Sequence, residues 1–153
     1  MDSRVVRLNA QIAAYRNEIK EIQDSYYALE SFQKAVSNAH SDFEQCISSK
    51  KRTFSALSNE GTNCNAVQSY YSAYNGHLDG VAVTTASIAF TQLEVQIRAK
   101  LLLYNTTIAT NLNLIDTCLE GVQIIEEEIQ AAKKAAKKAA KKAVNNALSN
   151  LKK

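Results

Sequence analysis

The chain has 153 residues, with no Pro, no Trp, only 4 Gly and a hydrophobic share of 46%. So few turn formers exclude an all-β or α/β chain of this size, and so many apolar residues exclude a disordered one, which leaves an all-α protein. The formal net charge of +3 conceals a segregation: residues 1–130 hold ten basic and all 15 acidic side chains, a net of −5, whereas residues 131–153 hold eight Lys and no acid.

The amino end, Met1-Asp2-Ser3-Arg4, leads into no apolar run of signal-peptide length. The longest apolar run, Leu101-Leu102-Leu103-Tyr104, falls far short of the ~20 residues of a membrane span. A cytoplasmic protein is expected, and any export would need a route independent of an amino-terminal signal. Cys46, Cys64 and Cys118 are an odd number at no metal spacing, the usage of a chain kept reduced.

The first element is a long helix over about 3–57. Leu8, Ile12, Tyr15, Ile19, Ile22, Tyr26 and Leu29 alternate steps of four and three, the seam spacing of a coiled coil. A short step to Phe32 reads as a stammer, after which Val36, Ala39, Phe43, Ile47, Phe54 and Leu57 continue the row. Turn formers then cluster over about 58–65, where Gly61 is the expected turn residue and Thr62 or Asn63 the cap of the next helix.

A second helix is expected over about 66–121. Its row begins Val67, Tyr71, Tyr74, Leu78, Val81, Thr85 and Ile88, and continues Phe90, Leu93, Ile97, Leu101, Tyr104, Ile108, Leu112, Ile115, Leu119 and Val122. Gly76 and Gly80 leave room for a kink or short break. An apex near residue 62 sets residue 3 opposite Gly121, His77 near Cys46, and Cys118 near residue 6, so that no two cysteines come within bridging distance. Residues 1–121 thus form a helical hairpin. Residues 122–153 form an acidic and then Lys/Ala-rich tail, in which Lys133, Lys134, Lys137, Lys138, Lys141 and Lys142 recur every four residues as a slowly winding, helical or frayed stripe.

Little here speaks of catalysis. His40 and His77 lack an orienting third group, no His or Cys falls at ligand spacing, and there is no phosphate loop or nucleophile elbow. No catalytic residue, metal or cofactor is expected. Doublets such as Val5-Val6, Tyr26-Tyr27, Tyr70-Tyr71, Leu101-Leu102 and Ile124-Ile125 cover a wider arc than one antiparallel helix can bury. A further helix is therefore expected to pack against the chain. The candidate contact residues are Tyr26, Tyr27, Phe32, Tyr70, Tyr71, Tyr74, Phe90, Glu94, Leu101 and Leu102. The lysine stripe lacks Arg and interleaved aromatics, so a solubilising tail with weak attraction for polyanions is the expectation there.

The segments Leu8-Asn9-Ala10-Gln11-Ile12, Ile19-Lys20-Glu21-Ile22, Tyr70-Tyr71-Ser72-Ala73-Tyr74 and Leu93-Glu94-Val95-Gln96-Ile97, with the Asn/Gly turn between the helices, resemble the YwqH-like small helical proteins encoded beside LXG toxins, within the WXG-type superfamily. The likeness covers about residues 1–120 and is one of pattern. It implies a targeting chaperone that lies beside the helical amino-terminal region of an LXG-type toxin, with room for a second small helical protein, and delivers it to type VII secretion. Two departures stand out. The superfamily turn carries Trp-x-Gly, and only Gly61 is present here. Aromatic-x-x-x-acid export signals are matched by Tyr26…Glu30 and Phe90…Glu94, but with 7 Tyr, 4 Phe and 15 acids about one match arises by chance. The rival expectations are a self-associating coiled-coil protein and a polyanion-binding protein acting through its tail.

Overall fold

A computed structural model of the chain describes residues 2–60 and 64–151, the side chains of 58–60 and 146–151 excepted. Among the described residues the protein is all-α and contains no strand. Helix α1 runs Ser3–Glu60, α2 runs Asn65–Leu78 and α3 runs Val81–Leu151. The expected turn at Gly61, with Thr62 and Asn63, lies outside the described residues. Cys64 occupies the cap position of α2 in extended conformation, and its carbonyl accepts the first bonds of the helix from the Val67 and Gln68 amides at 3.0 and 3.1 Å.

The second helical stretch is interrupted where sequence allowed a break. The Asp79 amide donates to the Asn75 carbonyl and the Gly80 amide to the His77 carbonyl, each at 3.1 Å, before α3 begins. A side chain at Gly80 would bring its Cβ to 2.9 Å from the His77 carbonyl oxygen, so this break is closed to larger residues. The break resets the phase of the inward row. Val83, Ala86 and Phe90 are half-buried, whereas Val81, Thr85 and Ile88, the expected inward set, face solvent.

The chain divides into two compact units, residues 1–22 with 106–153 and residues 23–105. In the first, Val5, Leu8, Ile12, Tyr15, Ile19 and Ile22 line α1, and Ile108, Asn111, Ile115, Cys118, Val122, Ile125 and Ile129 line α3. Ile12, Ile19 and Ile115 form its buried cluster, with Tyr15, Ile108 and Cys118 packed against them. Arg4 meets Glu128 at 3.3 Å, the Leu8 side chain lies against Gly121, and the Cys118 thiol lies 3.9 Å from the side-chain Oε1 of Gln11. Gly121 therefore faces Leu8, not residue 3, and Cys118 faces Gln11, not residue 6. Both pairings are offset by a few residues from those expected.

In the second unit Val36, Ile97 and Leu101 are buried, with Tyr26, Leu29, Phe90 and Leu93 packed on them. The α1 row here is Tyr26, Leu29, Gln33, Val36, His40, Phe43, Ile47, Lys51 and Phe54. No stammer occurs. The four-three alternation passes from Leu29 to Gln33, and Phe32 stands 49% exposed. Likewise His40 takes the inward place expected of Ala39, and in the first unit Asn111 and Cys118 take those expected of Leu112 and Leu119. The helix repeat fixes which positions turn inward, and polar side chains occupy several of them.

Candidate partner-binding surface

The seam of the second unit has already engaged some of the candidate contact residues. Leu101 is buried, and Tyr26 and Phe90 are half-buried against the core cluster. Phe90 stacks on the His40 ring, with centroids 5.0 Å apart and planes 9° apart. The Glu94 carboxylate lies 3.2 Å from His40 Nδ1, accepts from the Ser37 hydroxyl at 3.4 Å, and pairs with Arg98 at 3.5 Å. Glu44, which accepts from the Ser87 hydroxyl, approaches His40 from the other side at 3.8 Å. This polar knot ties α1 to α3. Phe90…Glu94, one of the two export-signal matches, thus belongs to the interior packing of the unit.

The remaining candidates lie outside. Tyr27 and Tyr70 are each 61% exposed, and Phe32, Tyr74 and Leu102 also face solvent. Tyr71 is half-buried, and with Tyr70, Tyr74 and Phe54 it makes one aromatic group, whose closest pair, Phe54 and Tyr74, has centroids 4.6 Å apart. Nearby, Asn75 donates to the Ser55 hydroxyl, and Lys51 pairs with Asp79. These contacts set His77 opposite the stretch 51–55, so the expected nearness to Cys46 does not arise.

A feature that sequence reasoning missed is the outer row of α3. Val81, Ile88, Val95 and Leu102 repeat at seven-residue intervals and are 83%, 50%, 58% and 68% exposed. From Val81 to Asn105 the only charged residues are Glu94, Arg98 and Lys100, and Glu94 is turned into the knot. A solvated helix face ordinarily carries more charge; this one carries Thr, Gln, Ala and aliphatic side chains, with exposed Arg98 between Val95 and Leu102. The spacing was present in the sequence, but it was concealed because Val81 and Ile88 were assigned to the inner row.

No group of three or more His, Cys, Asp or Glu among the described residues could hold a metal ion. Cys46 and Cys64 are exposed free thiols, and Cys118 is a half-buried one. No described helix is long and apolar enough to cross a membrane. Comparison with protein families, curated proteins and solved structures finds no match to this chain.

Proposed function

We propose that the chain is a non-catalytic adaptor, folded as an antiparallel helical hairpin of coiled-coil type, that binds the helical amino-terminal region of an LXG-type toxin and targets it for type VII secretion. Support for the hairpin comes from the order of contacts: within each unit, partners on α3 fall in number as positions on α1 rise. The observation that carries the adaptor reading is the outer row of Val81, Ile88 and Val95, continued in spacing by Leu102. A seven-residue apolar repeat on a nearly uncharged face has the form that a second helix packs into, knob by hole. Tyr27, Phe32, Tyr70 and Tyr74 add amphipathic side chains of the kind enriched at interfaces. In this reading binding takes place in the cytoplasm, needs no cofactor, and leaves space for a second small helical protein; the adaptor leaves the cell with its cargo by a signal-independent route.

The test is co-purification of the full chain with the amino-terminal region of an LXG-type toxin, alongside the double variant Ile88→Glu with Val95→Glu. The complex should form with the natural chain and weaken at least about a hundredfold in the variant, since two charges would be buried in an apolar seam. Circular dichroism of the variant alone should stay helical. If light scattering instead finds a stable homo-oligomer that the same substitutions dissolve, the self-associating reading replaces the adaptor.

A further inference from the structure

We propose that the tail of α3 is a binding site for double-stranded nucleic acid, which it grips along the phosphate backbone without reading sequence. This site is separate from the outer row of α3. Helix α3 continues through the Lys/Ala repeat to Leu151, and every residue from 131 to 145 is exposed. Lys133, Lys134, Lys137, Lys138, Lys141 and Lys142 are therefore all presented to solvent by a helical backbone.

Helix geometry makes that presentation regular. Each four-residue repeat advances about 6 Å and carries two lysines, one charge per ~3 Å. The repeat drifts ~40° per step, so the six ammonium groups keep to roughly one side of the helix. Each strand of a duplex presents one phosphate per about 3.4 Å of helix axis, so the lysine spacing matches that of a single strand of the duplex. The lysines also sit at i and i+4 along two rows, a like-charge arrangement that weakens an isolated helix and that a polyanion would relieve. Of the three acids at the edge of the basic segment, Glu128 is paired with Arg4 at 3.3 Å, whereas Glu126 and Glu127 line one cavity with Lys133 and Lys134 and offset part of their charge.

The chemistry between the lysines separates duplex from membrane. Between Ile129 and Val144 the non-lysine positions are Gln130 and alanines. An interfacial helix needs large apolar groups to enter the acyl region, and methyl groups do not supply them. No Arg or aromatic residue lies within the repeat to read or stack on bases, so the grip is electrostatic and indifferent to sequence.

The experiment uses the full chain, two unrelated 20-base-pair DNA duplexes labelled for fluorescence anisotropy, and vesicles of phosphatidylserine and phosphatidylcholine. Both duplexes should bind equally, with a dissociation constant on the order of micromolar near 0.1 M salt. The logarithm of the affinity should fall with the logarithm of salt with a slope of about −5, as six neutralised phosphates require. Replacing the six lysines by Gln, which keeps helix propensity, should weaken binding by about a hundredfold or more. The double variant Ala135→Gly with Ala139→Gly keeps every charge but loosens the helix, and it should bind severalfold more weakly. The proposal is overturned by absent duplex binding at ~50 mM salt, by unchanged binding in the six-Gln or the two-Gly variant, or by a preference for the vesicles.

Discussion

A methyl group at Gly80 and one at Gly76 would meet opposite surroundings. At Gly80 it would lie 2.9 Å from the His77 carbonyl oxygen, part of a backbone already committed to the break between α2 and α3. At Gly76 nothing lies within 4 Å. Gly76→Ala should therefore stabilise the chain by about 0.5–1 kcal/mol through helix propensity alone. Gly80→Ala should destabilise it by roughly 1–3 kcal/mol, since backbone must move to admit the atom. Urea denaturation of the two variants checks both signs. Asp2 supplies a second residue-level test. Its carboxylate accepts from the Arg4 guanidinium at 3.1 Å and from the Arg4 amide at 2.8 Å, capping the first turn of α1. The guanidinium, and then the amide, hold the Asp2 carboxyl below its usual range. A carboxyl whose pKa is lowered on folding stabilises the folded state above its unfolded pKa, and that contribution fades as pH falls through the folded value. The protection factors of the Arg4 and Val6 amides should fall at acid pH more than those of the helix interior, and in Asp2→Ala that extra fall should vanish.

Helix α3 has a buried and an exposed apolar row, and substitutions should separate them. Ile97 is 4% exposed, in the cluster with Val36 and Leu101, so Ile97→Ala should cost about 2–4 kcal/mol. Ile88, 50% exposed on the outer row, should tolerate Ser with a loss under about 1 kcal/mol while weakening partner binding. A chain in which both changes were equally costly would have no unoccupied outer face to offer. Asn111 tests the inner row from the opposite direction. It is 5% exposed and its Nδ2 has no hydrogen-bond partner. Asn111→Leu should raise stability by about 1–2 kcal/mol in thermal or urea unfolding, because it removes an unsatisfied buried donor. How far the sequence revealed these faces can be judged from the same residues. The apolar spacing through Ile12, Ile19, Val36, Ile97 and Ile115 marked the inner rows because helix period and hydropathy agree there. Where they disagree, hydropathy misled: it selected Phe32, Leu112 and Leu119, while the backbone turned Gln33, Asn111 and Cys118 inward. A polar residue enters such a row when its neighbours accommodate it, as Phe90 and Glu94 accommodate His40, and that accommodation is tertiary information.

For the whole molecule, composition set the helical class before any position was considered. The absence of Pro and the few Gly left long helices as the natural outcome, and Gly80 proved to be the one described interruption between α2 and α3. The candidate surface was less legible. Tyr27, Phe32, Tyr70 and Tyr74 face solvent as a partner-binding role requires, but the outer row of α3 emerged only once the break at Asp79 and Gly80 fixed the phase of the helix. Charge obeys the same division of labour: the mixed, net acidic segment carries the packed rows, and the basic segment packs nothing beneath its lysines.

The inner rows have a mechanical consequence. Apart from Val5 and Ile125, the buried apolar side chains gather into two small clusters, one of Ile12, Ile19 and Ile115 and one of Val36, Ile97 and Leu101, with Asn111, His40 and Gln33 as weaker links in the rows. Under tension each cluster sets only three buried side chains against the unfolding of its own unit. Clusters so small should yield at low force, which single-molecule stretching would read.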